Sequence, residues 1–201
     1  MRSFLSRSLA LFTFLVATVA HAAEPAWVAN INGTPTLSRA GKAEPLQRGA
    51  AIQVGDTIET NEASKVKLLL ADDSVLAIGP RSRVTLEAFD LDTSSRKARL
   101  RVLAGRFKLA VSKFFGGPTD YEVATPTAVA GVRGTVRWGD TELDAICALD
   151  GRIKVRPASS KKQPSTLNEG KCVSQMAAGK LTPLQPSPAD LARYLREVTL
   201  D

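Results

Sequence analysis

Residues 97–111 read Lys97-Ala98-Arg99-Leu100-Arg101-Val102-Leu103-Ala104-Gly105-Arg106-Phe107-Lys108-Leu109-Ala110-Val111. Basic and apolar side chains alternate through Lys97–Val102 and again through Arg106–Val111, with Gly105 between the two runs. A period of two sends successive side chains to opposite faces of an extended strand, so each run reads as a half-buried β-strand. Taking Ala104-Gly105 as a two-residue turn predicts a hairpin. Val102 then faces Phe107 and Leu100 faces Leu109 on the buried surface, while Arg101 faces Lys108 on the other.

The pattern returns 46 residues later, where Leu149-Asp150-Gly151-Arg152-Ile153-Lys154-Val155 repeats Leu103-Ala104-Gly105-Arg106-Phe107-Lys108-Leu109 as L-x-G-R-apolar-K-apolar. Read as a second hairpin, it buries Ile146 with Val155 and Ala148 with Ile153, and leaves Cys147 on the opposite face. Looser versions, Leu46-Gln47-Arg48-Gly49 and Leu167-Asn168-Glu169-Gly170, suggest recurring strand-Gly-strand units stacked face to face. Their spacing is too irregular for a strict solenoid. From Trp27 to about Val155 the chain shows short apolar alternations punctuated by Gly, Asp, Asn and Pro, with no long helical period. The expected class is all-β: short, antiparallel-rich strands in stacked sheets, as a sandwich or an irregular β-helix-like stack, with a short C-terminal α-helix.

The two ends differ from this middle. Arg2 and Arg7 precede the apolar run Ser8–Ala20, and Ala20-His21-Ala22 offers a small-x-small cleavage site, so residues 1–22 read as a secretory signal peptide. Its apolar run is about 13 residues, short of the ~20 that a spanning helix needs. No later segment is long enough either, and no Cys stands at the new N-terminus, so a soluble exported chain with no membrane-spanning segment after cleavage is expected. Residues 23–182 form the β domain, with a core at 27–156, a polar loop at Pro157–Pro164 and tail strands at 165–182. Residues 183–201 begin with a Pro-rich linker, and Ser187-Pro188 supplies an N-cap and first helical position. Leu191, Tyr194, Leu195 and Val198 then share one helical face, ready to dock on the sheet or on a partner.

His21 is the only histidine and leaves with the signal segment. Without an imidazole, Ser-His-Asp and Cys-His catalysis and histidine-containing zinc sites drop out, and two cysteines alone cannot make a thiolate zinc site. No metal and no cofactor are expected. Cys147 and Cys172, an even pair in an exported chain, are expected to form a disulfide that fastens the tail strand near Lys171–Gln175 over the outer surface of the sheet. The close carboxylates, Asp72-Asp73 and Asp90-Leu91-Asp92, sit in expected turns, and Ser94-Ser95-Arg96-Lys97 matches S-x-x-K without its companion motifs. A catalytic function is not expected.

Loss of Arg2 and Arg7 takes the formal net charge from +7 to +5. Mild basicity, 5% aromatics and no reader motif argue against nucleic acid as a partner. Thr125-Pro126-Thr127-Ala128-Val129-Ala130-Gly131-Val132-Arg133-Gly134-Thr135 is Gly-rich and carries a cation, but it lacks the Gly-Lys-Ser/Thr ending of a phosphate loop and a following helix. It reads as a strand, a bend and a strand, with Arg133 satisfying carbonyls or a carboxylate near the bend. Arg99, Arg101, Arg106 and Lys108 form a basic face on the expected hairpin, where like charges oppose one another. Either an internal carboxylate such as Glu87, Asp90 or Asp92 neutralises them, or an acidic partner or anionic envelope glycan does. Arg133 joins these four as a candidate anion or partner contact.

Several ordered motifs together resemble the FecR domain across roughly residues 27–156: Gly55-Asp56-Thr57-Ile58-Glu59-Thr60; Asp72-Asp73-Ser74-Val75-Leu76-Ala77-Ile78 with Ser82; Thr125-Pro126-Thr127-Ala128 through Arg133-Gly134-Thr135; and Gly151-Arg152-Ile153-Lys154-Val155. The family usually carries Asp-Gly-Ser where this chain has Asp72-Asp73-Ser74, which implies a turn conformation that does not require Gly. Signalling members resemble a three-part device, with a cytoplasmic sigma-factor-binding segment, one transmembrane helix and this domain in the periplasm. Here an export signal precedes the domain. The resemblance therefore implies a periplasmic sensing, scaffold or protein-binding module, whose partner is another envelope protein, without the transmitter half.

Overall fold

The alternating runs become strands in the computed structural model, which describes residues 24–132 and 135–200. Each bend of the chain either turns back within a sheet or crosses to the other one. Strand β1 (Ala26–Asn32) lies in the first sheet, β2 (Thr36–Arg39) and β3 (Lys42–Pro45) in the second, β4 (Ala51–Ile52) in the first and β5 (Thr57–Glu59) in the second. A hairpin of β6 (Lys65–Leu70) and β7 (Val75–Ile78) follows in the first sheet, then one of β8 (Arg83–Leu91) and β9 (Arg96–Ala104) in the second. The chain continues through β10 (Arg106–Ala110) in the first sheet to β11 (Thr119–Ala124) and β12 (Ala128–Val132) in the second. Next come β13 (Val136–Asp140) and β14 (Ala145–Asp150) in the first sheet, and β15 (Arg152–Pro157) and β16 (Ser165–Asn168) in the second. Finally β17 (Cys172–Ser174) and β18 (Thr182–Leu184) extend the first sheet, ahead of helix α1 (Pro188–Glu197).

The first sheet runs in the order β4-β1-β6-β7-β10-β13-β14-β17-β18 and the second β3-β2-β5-β8-β9-β11-β12-β15-β16. Strand order thus nearly follows chain order. Pairing is antiparallel except between β9 and β11, which are separated in sequence by β10 in the other sheet. The expected all-β class, antiparallel-rich stacked sheets and C-terminal helix are borne out.

The hairpin expected at Gly105 is corrected. Strand β9 already has β8 on one side and β11 on the other, so the chain at Gly105 leaves the second sheet and enters the first, where β10 pairs with β7 and β13. The same holds at Gly151, between β14 and β15. Gly49 and Gly170 also stand where the chain changes sheets, so the recurring strand-Gly-strand unit is an arch. All four glycines have φ between 68° and 86°, in the left-handed region that Gly enters without a Cβ penalty. Neighbouring arches also pack closely. A Cβ on Gly105 would overlap Ser82 Oγ and come within 2.6 Å of the Arg81 carbonyl, and one on Gly151 would lie 2.8 Å from Thr135 Oγ1.

Inward parity survives this change, because an arch and a hairpin both point the same alternate residues at a shared interior. Leu100 and Val102 of the second sheet, and Phe107 and Leu109 of the first, are buried in one continuous core between the sheets, as are Ile146, Ala148, Ile153 and Val155. Gly139 makes room for the Phe107 ring, since a Cβ there would lie 2.7 Å from ring carbon Cζ. The void between β1, β6 and β7 on one side and β5, β8 and β9 on the other is only about 10 Å³, no more than one water's space.

The motif residues act as fasteners for these bends. Arg39 grips buried Asp56 with Nε to Oδ1 at 2.8 Å and Nη2 to Oδ2 at 2.6 Å, and Gln53 N donates to the same carboxylate at 2.7 Å. Thr60 Oγ1 donates to the Gly79 carbonyl and accepts from Ser82 N, while Ser82 Oγ accepts from Arg106 N. Asp72 accepts from Ser74 N and Oγ and from Arg96 Nη1 at 2.7 Å. The expectation that the Asp72-Asp73-Ser74 turn avoids a glycine-type backbone is corrected, since Asp73 has φ 65°. Asp tolerates the left-handed region better than most residues because its short polar side chain can bond locally, so the turn keeps a backbone that Gly also favours.

Candidate functional site

The outer face of the first sheet is covered by the chain's own tail over β7, β13, β14 and β17, while Trp27 of β1 and Leu69 of β6 stay exposed. Ser187 Oγ accepts from Asp190 N at 3.1 Å, and Pro188 opens α1, as their order in the sequence implies. Tyr194 stacks on Trp138 with ring centroids 4.8 Å apart and planes 11° apart. Tyr194, Leu195 and Val198 pack with Trp138, Ala77 and Ala145 in a second apolar cluster outside the main core, and Leu191 is half-buried on the same helix. Lys65 Nζ donates to the carbonyls of Arg196 at 2.7 Å and Thr199 at 3.2 Å, neutralising the negative end of the helix. Tyr194, Leu195 and Val198 of the expected contact face are therefore seated on their own sheet, and Leu191 is outside that cluster.

The same cluster holds the disulfide. Cys147 and Cys172 sit directly opposite one another in the β14–β17 pair and are bonded, so the tail strand extends the sheet beside β14, which corrects the expectation that it lies over the outer surface. Both point outward from the first sheet, which is the face parity assigned to Cys147, and both are buried.

The basic face expected on one hairpin is divided between two outer surfaces. Arg99 and Arg101 point outward from the second sheet, where Arg99 Nε pairs with Glu122 at 3.1 Å and Arg101 Nε with Glu87. Arg106 and Lys108 lie on the first sheet. Arg106 meets Asp140 at 2.6 Å, Glu142 at 3.0 Å and Glu197 at 3.1 Å, tying β10 to β13, the following turn and α1. Lys108 stands in register between Ala77 and Trp138. The physical reason for the correction is the arch, which sends β9 and β10 to different sheets. Arg133 and Gly134, like the expected signal segment at 1–22, lie outside the described residues.

The acidic groupings considered for chemistry serve local structure. Asp72 is buried against Arg96, whose guanidinium also donates to Ser112 Oγ at 2.8 Å and the Ser112 carbonyl at 2.7 Å and lies under the Phe114 ring at 4.5 Å. Asp92 accepts from Ser94 N, Ser94 Oγ and Thr93 Oγ1, and these bonds, led by the Ser94 amide, hold its carboxyl below the usual range. Ser94 of the S-x-x-K match is thus part of a turn. No group of three metal-ligating side chains occurs among the described residues.

Sequence reasoning missed Arg137. It pairs with Leu109 in register on the inward face of β13 and is 0% exposed, with Nη1 donating to the Ala130 carbonyl of the opposite sheet at 3.1 Å. Its Nε and Nη2 have no hydrogen-bond partner among the described residues, and burial pushes the guanidinium down to about 9, so it remains a cation at neutral pH. Both faces of β13 are covered, one by the core and one by α1, so no polar-apolar alternation marks the strand; Arg137 followed by Trp138 and Gly139 was its only sequence signal.

A groove of about 790 Å³ crosses the outer face of the second sheet at the end where Gly151 turns. Lys97 of β9, Asp120 of β11, Gly131 of β12, Arg152 and Lys154 of β15 and Thr166 of β16 line it.

Comparison with known proteins agrees with this architecture. Residues 56–154 match the family model described as FecR protein. Two crystal structures of a protein described as a "putative anti-sigma factor" from Parabacteroides distasonis align with TM-score 0.52 and 16% identity over 69% of this chain. The aligned region spans 64% and 63% of those solved chains, less than two thirds of their length. No curated protein matches the sequence.

Proposed function

Because residues 56–154 carry a FecR domain, we propose that this chain is a non-catalytic regulatory or sensing module of the cell envelope that works by binding another protein. The family match is the observation that carries the reading. The expected signal segment and the disulfide support an exported, oxidising location, since disulfides persist in such compartments. The anti-sigma description belongs to the structural neighbour, and its likeness supports the fold.

The partner surface in this reading is the outer face of the second sheet, because its ion pairs are exposed, whereas α1 and the disulfide occupy the β7, β13, β14 and β17 part of the first. Its Arg99–Glu122 and Arg101–Glu87 pairs present both signs of charge in fixed register, which favours specificity over raw affinity. The test is cross-linking of the purified protein in envelope extract, with cross-linked sites mapped by mass spectrometry. One protein cross-linked to β8–β11, retained in high salt and lost on Arg99→Glu with Arg101→Glu, supports the proposal. Recovery of acidic polymers alone, released at modest salt, overturns it.

A further inference from the structure

We infer that the groove over Gly131 is a binding site for a small organic oxyanion, a phosphate ester or a carboxylate, at one end of the second sheet's outer face beside the Arg99 and Arg101 ion pairs. Its volume, about 790 Å³, lies within the range of small-molecule sites. The groove exists because Gly131 has no side chain. In the ladder, Glu122 of β11, Gly131 of β12, Lys154 of β15 and Thr166 of β16 stand in one row, and a Cβ built on Gly131 would meet nothing within 4 Å.

Charge sets the ligand class. Arg39, Arg81, Arg83, Arg99, Arg101 and Arg106 each have a carboxylate within 4 Å. Lys97, Arg152 and Lys154 line the groove and make no such pair with a described carboxylate. Asp120 is the carboxylate on the wall, in register with Lys97, so Arg152 and Lys154 face an incoming anion. Behind the floor, the unpaired guanidinium of Arg137 rests on the carbonyl of Ala130, next to Gly131, and the unpaired Thr135 hydroxyl lies beside Gly151. A cation in the low-dielectric interior projects its field further than an exposed one. Thr166 adds a hydroxyl on the outer face, and exposed Pro118 gives apolar contact for a carbon skeleton. The walls carry no aromatic ring for stacking, and the site lies on a sheet face, where strand addition is unavailable.

The test is an amide-resolved NMR titration of the purified, disulfide-bonded protein with sodium pyrophosphate and, separately, sodium glutarate, at constant ionic strength with sodium chloride as reference. Saturable shifts at Gly131, Ile153 and Thr166 are expected from at least one probe, and the probe that binds distinguishes phosphate from carboxylate. Arg152→Gln and Lys154→Gln should each weaken binding about tenfold, the loss of one charge-assisted hydrogen bond. Asp120→Asn should tighten it severalfold by removing a repelling charge. Gly131→Leu fills the groove and should abolish binding while leaving thermal unfolding unchanged or raised. Shifts that track sodium chloride, saturable binding that survives Gly131→Leu, or an affinity unchanged by Lys154→Gln would overturn the inference.

Discussion

A Cβ added at Gly105 runs into Ser82 and the Arg81 carbonyl on a backbone held at φ 86°, whereas one added at Gly131 enters open space. Gly105→Ala should therefore lower unfolding stability by about 2–4 kcal/mol, through strain and displaced neighbours. Gly131→Ala should be neutral or stabilising by up to about 1 kcal/mol. Denaturant midpoints of the two variants check both. Buried cations divide in the same way. Arg96→Met strands Asp72 in the interior and should cost about 3–5 kcal/mol, while Arg137→Met removes an unpaired charge and should add about 1–3 kcal/mol. Because burial pushes Arg137 down to about 9, the folded protein sheds this proton at lower pH than the unfolded chain does. The unfolded state then holds more protons, so wild-type stability rises relative to Arg137→Met as pH climbs above 9. Paired denaturation curves at pH 8 and pH 10 read the difference. Asp56 and Asp72 stood out in the sequence by their motifs, but which cation each would fasten did not, because Arg39 reaches Asp56 only once β2 pairs with β5, and Arg96 reaches Asp72 only once the sheets are stacked.

At the scale of elements, alternation located β9, β10, β14 and β15 and assigned their inward faces correctly. It could not tell an arch from a hairpin, since both reverse the chain at a glycine and both oppose the same apolar residues. The choice is made by competition for edges: β9 pairs with β8 in a local hairpin and with β11 across the intervening β10, and the second pairing has no local signature. The C-terminal helix was legible from its cap and its apolar face, but its seat was not, because Trp138 belongs to a strand more than 50 residues upstream. Removing residues 186–201 uncovers Trp138, which is 0% exposed in the intact fold. Its fluorescence should shift to the red, with a stability loss of about 2–4 kcal/mol from the lost burial of Tyr194, Leu195 and Val198. An unchanged spectrum would show that α1 does not cover this face.

Across the whole molecule, the Cys147–Cys172 bond closes a loop of 25 residues around β15 and β16 and joins β17 to the first sheet. Chain-entropy reasoning gives it about 3–4 kcal/mol. Reduction should lower the unfolding midpoint accordingly, with amide exchange rising first in β17 and β18. The strand order that makes this end the last to be added has a further consequence. Because each strand pairs with one laid down shortly before it, a chain delivered N-terminus first, by a ribosome or through a membrane pore, can extend both sheets rung by rung without waiting for its C-terminus. The growing edge stays open until β18 arrives with Pro183, which cannot donate to another strand. Closure of that edge thus waits for residues 182–184, and a nascent chain stalled before them would carry an unsealed sheet edge.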